Sequence, residues 1–181
     1  MSLTPEEQPV LRRLADLEIQ FDRHEHPPIA TGADGLEHWE GIDAVHCKNL
    51  FLRNQKGSRH YLVILEVTKR ADLRAVAAQI GDGKLSFASP ERLMTHLGVT
   101  PGSVSPFGLI HDVEHRVRVF LDRDLKRAER ISFHPNINTR TVVLAFAEFE
   151  RFLASTGHAV RFISTTAETA ADPAGSAPDP A

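Results

Sequence analysis

Five residues of the sequence match the pattern of a zinc site. Residues 111–115 read His-Asp-Val-Glu-His, which is the H-x-x-E-H order of inverted zinc proteases. That chemistry needs a helix, because only helical pitch places positions i and i+4 on one face. Here the residues lie between two runs typical of strands, at 107–110 and 117–121. We therefore expect a polar turn and no metal, and a zinc hydrolase using His111 and His115 is kept as an alternative.

A thiol nucleophile is the second chemistry to weigh. Cys47 is the single cysteine of the chain, and it follows His46 directly. Neighbouring residues of a strand point to opposite faces, so this pair cannot share a hydrogen bond. One cysteine also excludes an intramolecular disulfide, which suits a reducing compartment. The sequence has no nucleophile elbow, Walker loop or dinucleotide fingerprint, so the common nucleophile and nucleotide-binding classes are disfavoured.

A lysine and an amide, Lys48 and Asn49, interrupt a segment whose neighbours are typical of a buried strand. Alone, such a lysine is more often a solvent-facing strand residue. Two polar loops change this interpretation, residues 102–106 (Gly-Ser-Val-Ser-Pro) and residues 134–141 (His-Pro-Asn-Ile-Asn-Thr-Arg-Thr). Residues 26–31 form a further candidate segment near the start. Their density of donors and acceptors favours a binding site that includes the lysine.

The predicted elements that must position these residues alternate between helices and strands. A capping box at residues 4–7 predicts a first helix that buries Val10, Leu14, Leu17 and Phe21 and ends before Pro27. Further helices are predicted over 73–80, 90–97 and 146–153. Strands are predicted over 45–52, 60–67, 104–110, 117–121, 131–133, 141–144 and 160–163, with a hairpin turn at 54–57. The sum is an α/β (α+β) chain with a mixed, largely antiparallel sheet and helices packed outside.

The composition indicates one soluble globular domain with an acidic tail. Of 181 residues, 41% are hydrophobic and 25% are charged, which is ordinary for such a domain. Three acidic residues in 167–181 account for the formal charge of −3, so residues 1–166 are neutral. A neutral body argues against a general DNA binder and allows a local basic groove. We predict a domain over 1–166, a disordered tail over 167–181 and, without a signal segment or apolar span, a cytoplasmic protein with no membrane partner.

The polar segments occur in the order found in a known family. Lys-Asn-Leu-Phe-Leu at 48–52 is followed by Gly-x-x-x-Pro at 102–106 and Phe-His-Pro-x-x-Asn-x-x-Thr at 133–141. The sequence resembles the YbaK/ProX superfamily of prolyl-tRNA editing domains, from the first helix to about Ile163. Residues 83–87 (Gly-Lys-Leu-Ser-Phe) and 97–104 are most similar to the ProX branch, which hydrolyses alanyl-tRNA(Pro). The branch that acts on cysteinyl-tRNA(Pro) is the alternative.

The resemblance implies a barrel-like sheet and a trans-editing hydrolase. Such an enzyme cleaves the ester of tRNA(Pro) mischarged with alanine, using water activated by the substrate's own ribose hydroxyl, with neither metal nor other cofactor. Its partners would be the mischarged tRNA and, as a further candidate, prolyl-tRNA synthetase, with no DNA. A hydrophobic proline pocket rejects a smaller side chain weakly, so a second sieve is needed. A non-catalytic RNA-binding module of the same fold is the alternative from another class.

The resemblance also carries roles to individual residues. It implies catalytic roles for Lys48, for the backbone N–H at Gly102 and for His134. The residues implied to bind substrate are Thr31, Asn49, Pro106, Phe133, Asn138 and Thr141. Arg53 and Lys84 match basic residues that face the tRNA acceptor stem. Cys47 departs from the family, which has a small hydroxyl residue before the lysine, and this departure concerns fine specificity.

Overall fold

A computed structural model describes residues 3–29 and 32–166, and within them a mixed sheet is surrounded by helices. The α-helices are α1 (Gln8–Asp16), α2 (Gly32–His38), α3 (Leu73–Ile80), α4 (Pro90–Leu97) and α5 (Phe146–Ser155). Two 3-10 helices span Pro106–His111 and Arg123–Arg127. The strands are β1 (Phe21–Glu25), β2 (Val45–Asn54), β3 (His60–Glu66), β4 (Leu85–Phe87), β5 (Val117–Asp122), β6 (Arg130–Phe133), β7 (Arg140–Ala145) and β8 (Val160–Ile163). Thr31 and the acidic tail over 167–181 lie outside the described residues.

The strand order is β1-β7-β6-β2-β3-β5-β8, and β4 pairs with β2 beside this path. The pairs β2/β6, β3/β5 and β5/β8 are parallel. The pairs β1/β7, β2/β3, β2/β4 and β6/β7 are antiparallel. The predicted mixed sheet with helices outside it is thereby confirmed.

Strands β2 and β3 form the centre of the sheet because their sequences suit burial on both faces. Residues 60–65 of β3 are all buried. Strand β2 is ten residues long and pairs with β3 along one edge. On its other edge it meets β6 at Val45 and His46 and β4 at residues 52–54. The candidate residue Lys48 is therefore carried on a strand that is held from both sides.

Two apolar clusters fix the helices against the sheet. The larger cluster joins α1, α4 and α5 to the sheet through side chains such as Leu14, Leu97 and Phe149. The smaller cluster packs Val76 and Ile80 of α3 on the opposite side. Burial of this kind contributes about 25 cal/mol for each Å² of apolar surface removed from water. The site strands are therefore backed by packed side chains on both faces.

The first helix begins later and ends earlier than predicted: it begins at Gln8, after a turn over residues 5–7, and ends at Asp16. The backbone N–H of Thr4 donates to Glu7 Oε1 at 3.0 Å, and the N–H of Glu7 donates to Thr4 Oγ1 at 3.3 Å, which confirms the capping box. The prediction that the helix continues to Phe21 is wrong. Glu18 adopts a left-handed conformation with φ of 53°, and Phe21 then pairs with Leu144 in β7. An apolar residue on the core side of a new strand had matched helical spacing by coincidence.

A second prediction that the structure contradicts is the strand over 104–110. Residues Pro106–His111 form a 3-10 helix instead, and Ser105 Oγ caps it by accepting from the Phe107 N–H at 3.2 Å. Proline at 106 offers no N–H to a strand ladder and suits the first turn of a helix. The short elements α2 and β4 were not predicted, because seven and three residues hold too little periodicity.

Candidate functional site

Lys48 lies near the middle of β2, and its side chain is partly buried. It faces Leu65 of β3 in the ladder, and its Nζ donates to the Val67 carbonyl at 3.0 Å. Burial lowers the pKa of the ammonium from its usual value. The ammonium has three donors and this bond uses one, so the group can still meet a ligand. The strand therefore presents a fixed positive charge.

Asn49 joins β2 to the glycine loop, which we define as residues 102–106. Its Nδ2 donates to the Val104 carbonyl at 3.0 Å. Adjacent residues of a strand face opposite ways, so this amide lies on the other face of β2 from Lys48. Within residues 3–29 and 32–166, the buried Asn49 Oδ1 has no partner. The amide thus positions the glycine loop rather than standing beside the ammonium.

Gly102 is the residue of the glycine loop that lies beside Asn138, in the loop after β6. Its φ is +86°, a left-handed conformation in which a side chain is strained. A Cβ built there would lie 3.5 Å from Asn138 Nδ2, which is ordinary contact. The glycine is therefore required by backbone conformation, and its small size lets another molecule approach the backbone closely.

Asn138 connects residues 26–29 to the loop that lies beside Gly102. Its backbone carbonyl accepts from the Ile29 N–H at 3.0 Å, and its Nδ2 donates to the Ile29 carbonyl at 3.1 Å. The His26 N–H donates to the Thr139 carbonyl at 3.1 Å. These bonds join residues 26–29 to residues 138–139, and the position of Gly102 beside Asn138 adds the glycine loop as a third segment. Pro106 is buried at the start of its 3-10 helix and stiffens the glycine loop.

His134 is held in one tautomer by the loop that contains it. Its Nδ1 lies 2.7 Å from the Arg140 carbonyl, and because a carbonyl only accepts, Nδ1 carries the proton. Burial lowers the pKa of the imidazole, so the ring is neutral near pH 7. Its Nε2 therefore holds a lone pair. This ring can accept a hydrogen bond from a bound molecule.

Aromatic rings surround His134, and we call His26, Trp39, His46 and His134 the ring cluster. The His26 and Trp39 rings lie 5.6 and 6.2 Å from His134, and Trp39 stacks on His46 at 4.6 Å. Thr141 Oγ1 accepts from Trp39 Nε1 at 3.0 Å and lies 2.9 Å from His26 Nε2. The His26 Nδ1 lies 2.8 Å from the Pro27 carbonyl, so the Thr141 hydroxyl donates to Nε2. Thr141 therefore orients two rings of the cluster.

Sequence reasoning missed Trp39 as a site residue, and it gave His26 and His46 no role in the site. His46 Nδ1 lies 2.7 Å from Ser132 Oγ, and burial lowers the pKa of both histidines. The one available signal was a single tryptophan close to a polar segment. Its ring partners His46 and His134 lie on β2 and after β6, so no local spacing could have identified them.

Phe133 lies apart from the other predicted substrate residues. It is 2% exposed and packs in the larger apolar cluster, with its ring 4.5 Å from Phe149 and 5.9 Å from Phe107. Strand alternation turns it away from its neighbour His134. Thr31, the remaining predicted residue of this group, falls outside the described residues.

Arg53 and Lys84 lie close to each other but far along the strand from Lys48. Arg53 pairs with Ser86 of β4, and Lys84 is exposed just before that strand. The Arg53 Nη1 donates to the carbonyls of Asn54 and Gln55 at 3.1 and 3.2 Å. Five residues of strand separate Arg53 from Lys48, a distance of about 17 Å. These two cations therefore do not share the immediate surroundings of Lys48.

Neither Cys47 nor the pair His111 and His115 is arranged for the chemistry considered from the sequence. Cys47 is buried, and burial raises the pKa of its thiol well above the usual value. His115 Nε2 lies 3.0 Å from the Thr156 carbonyl, and His111 ends the 3-10 helix, so the two share no helix face. Over the described ranges, no group of three or more His, Cys, Asp or Glu side chains is arranged to hold a metal ion. None of the helices described is long and apolar enough to span a membrane.

Comparison with known proteins identifies a family that this chain matches. The profile of the aminoacyl-tRNA editing domain family matches residues 26–152. The prolyl-tRNA editing protein ProX of Acetoanaerobium sticklandii is 38% identical over 160 residues, which cover 86% of this chain and 95% of that protein. The prolyl-tRNA synthetase associated domain-containing protein 1 of Bos taurus is 32% identical over 81% of this chain and 88% of its own length.

Two further proteins extend the comparison. The multifunctional Ser/Thr-tRNA deacylase ProXp-y of Escherichia coli is 27% identical over 62% of this chain and 64% of its own length. The crystal structure of a suggested trans-editing enzyme for prolyl-tRNA synthetase superposes with a TM-score of 0.69 at 22% identity. That superposition covers 91% of this chain and all of the other. At this identity the likeness shows a shared fold.

Proposed function

This chain belongs to the aminoacyl-tRNA editing domain family, and we propose that it is a trans-editing hydrolase that removes alanine from mischarged tRNA(Pro). The observation that carries the proposal is the meeting of residues 26–29, the glycine loop and residues 138–139. Hydrogen bonds between Ile29 and Asn138 join the first and last of these segments, Gly102 of the loop lies beside Asn138, and Asn49 ties the loop to the lysine strand. We assign the activity to residues 1–166, and charged tRNA would be met in the cytoplasm.

The proposed reaction is attack of water on the carbonyl carbon of the aminoacyl ester. The water oxygen bonds to that carbon, the bond to the ribose oxygen breaks, and the ribose oxygen takes a proton. The products are free alanine and uncharged tRNA. The vicinal ribose hydroxyl of the terminal adenosine activates the water. The chain's own task is to hold the ester and to stabilise the oxyanion of the tetrahedral intermediate.

Gly102 and Lys48 would supply the electrostatic part of this task. A backbone N–H at Gly102, with no side chain in front of it, can donate to the developing oxyanion. The Lys48 ammonium would hold the phosphate or ribose of the terminal nucleotide, since its hydrogen bond to the Val67 carbonyl fixes its position beside a central strand. Removing one oxyanion donor costs hydrolases about 10²- to 10³-fold in rate.

His134 and the ring cluster would bound the amino-acid pocket. The neutral imidazole can accept a hydrogen bond from the substrate at Nε2, because Nδ1 is committed to the Arg140 carbonyl. Thr141 keeps the neighbouring His26 and Trp39 rings in place. Since Phe133 lies in the core, the size limit that excludes proline is assigned to this cluster.

The decisive experiment is a turnover assay with alanyl-, cysteinyl-, seryl- and prolyl-tRNA(Pro) at substoichiometric protein. We expect many equivalents of alanine per protein and no release of proline. Faster release of cysteine would assign the protein to the YbaK branch. Binding of tRNA with no turnover of any substrate would leave the non-catalytic RNA-binding module and contradict the proposal.

A further inference from the structure

A polar cavity lies where β3 and β5 begin, at a distance from Lys48. We call it the arginine cleft, and its volume is about 580 Å³, within the usual size of ligand sites. Four arginines and three histidines are among its lining residues. They are Arg59, Arg92, Arg116, Arg118, His60, His96 and His115. Clustered guanidinium groups in a concave site are the usual means of binding phosphate.

The acidic side chains around the cleft neutralise only part of this charge. Asp82 pairs with Arg59 at 3.4 Å, and Glu114 pairs with Arg116 at 2.5 Å, both on exposed arginines. The Asp112 carboxylate is occupied, since it accepts from the backbone N–H groups of Arg116 and Val117 and contacts His158. Glu91 interacts with Ser89 at the start of α4. In the part of the chain that the structure describes, no acidic partner pairs with Arg92 or Arg118.

Arg92 is held in place by neutral acceptors, which leaves its charge available. Its Nη1 donates to the Gly57 carbonyl at 2.8 Å and lies 2.7 Å from His60 Nε2. Because a guanidinium only donates, this His60 nitrogen is an acceptor and the ring is neutral. Arginine has five N–H donors, and these two contacts use two of them. The rest can form the paired bonds that a phosphate accepts.

Two histidines of the cleft, His60 and His96, are kept neutral mainly by burial and further by neighbouring positive charge. The His60 and His96 rings lie 4.1 Å apart. Burial first, and then His96, Arg92 and Arg53, lower the pKa of His60 to about 4, against an opposing effect of Asp112. Burial also lowers the pKa of His96, and Arg116 and Arg92 add to this effect. A bound anion would offset the positive charge of the surrounding arginines.

The position of the cleft suits a long anionic ligand that also reaches Lys48. His60 pairs with Arg53 at the end of β2, about 17 Å along the strand from Lys48. An RNA strand carries one phosphate for each nucleotide, so a span of about 17 Å includes several phosphates. We propose that the arginine cleft binds a backbone phosphate of the tRNA acceptor arm while the aminoacyl end lies at Lys48. The inference rests on the proposed function for the identity of its ligand.

The test uses Arg118→Gln in the full chain, with Arg12→Gln on the exposed surface of α1 as the matched control. Uncharged tRNA(Pro) is titrated over a range of salt concentrations. Loss of a charged contact should raise Kd about 10-fold. The slope of log affinity against log salt should fall by about 0.9, and the control should change neither quantity. Because Arg92 also supports His60, Arg92→Gln is measured beside it, with the thermal midpoint recorded to show that it folds.

Kinetics and a small probe separate the possible sources of phosphate. With alanyl-tRNA(Pro), Arg118→Gln should raise KM and leave kcat unchanged, and an alanylated CCA trinucleotide should be cleaved at the wild-type rate. Unchanged tRNA affinity and salt slope in both cleft variants would overturn the proposal. Binding of inorganic pyrophosphate is measured in parallel. A loss of affinity in the cleft variants that is confined to pyrophosphate would also overturn the proposal, because it would indicate that the cleft binds a free phosphorylated compound. Because the titration uses uncharged tRNA, a failure of deacylation would not disturb this result.

Discussion

At the scale of single residues, the candidate site depends most on the charge of Lys48. We expect Lys48→Ala to lower kcat/KM for alanyl-tRNA(Pro) at least about 100-fold, because the ammonium works by position and charge. The thermal midpoint should change little, since the side chain makes one described hydrogen bond, to Val67, worth about 1 kcal/mol. Lys126→Ala is the control, because it removes the same charge from an exposed site. A well-folded Lys48→Ala with near wild-type activity would contradict the assignment.

His134 carries a prediction about selectivity. Truncation in His134→Ala should enlarge the amino-acid pocket, so that prolyl-tRNA(Pro) begins to be cleaved while alanyl-tRNA(Pro) is cleaved more slowly. The measurement is the ratio of the two kcat/KM values, because a ratio does not depend on the folded fraction. His111→Ala, outside the ring cluster, should keep the wild-type ratio. If the rate falls at an unchanged ratio, His134 serves the ester and another side chain sets the size limit.

At the scale of elements, the glycine loop offers a comparison of three glycines. Gly102 and Gly81 both have positive φ, and Gly83 has open space around it. Alanine at either positive-φ position should cost about 1 kcal/mol of unfolding free energy, and Gly83→Ala should cost little. Only Gly102→Ala should also reduce kcat. An equal loss of activity in Gly81→Ala would mean that backbone strain alone, and not access to the loop, accounts for the effect.

The elements also show how far the sequence determines the fold. Strand β3 could be predicted because its residues are apolar on both faces, and α3 because its apolar residues recur at helical spacing and run into Gly81. The helix boundary before Phe21 could not, because the left-handed turn at Glu18 carries no local signal. A strand was predicted over 104–110 because the segment is rich in apolar residues. Pro106 has no backbone N–H to donate to a strand ladder, and the segment forms a 3-10 helix instead.

The candidate site was predictable to a similar extent. Lys48, Gly102 and Asn138 stand in motifs with a fixed order, so the sequence identified them. Their relative positions follow from backbone pairings such as that of Ile29 with Asn138, which link residues more than a hundred positions apart. The ring cluster depends entirely on such long-range placement. The arginine cleft likewise joins residues from β3, α4 and β5, none of which forms a basic run in the sequence.

At the scale of the whole molecule, buried histidines link stability to pH. Burial is the largest cause of a lowered pKa in five histidines that are partly or fully buried, His26, His46, His60, His96 and His134. The unfolded chain therefore binds protons at a higher pH than the folded chain does. The stability from these groups is complete above about pH 6.5 and is lost as pH falls below it. The lowered pKa values of Glu7, Asp112 and Asp122 act in a separate window, at the more acidic pH where carboxylates titrate.

His60 allows this linkage to be measured at one position. With a folded pKa of about 4, its share of the unfolding free energy should fall by about 1 kcal/mol between about pH 7.5 and about pH 5.5. In His60→Gln the amide oxygen can still accept from Arg92, but the group no longer titrates. Denaturant unfolding in phosphate-free buffer should therefore show a smaller loss of stability in the variant than in the wild type. Equal losses in the two proteins would mean that His60 is protonated as readily in the folded state as in the unfolded chain.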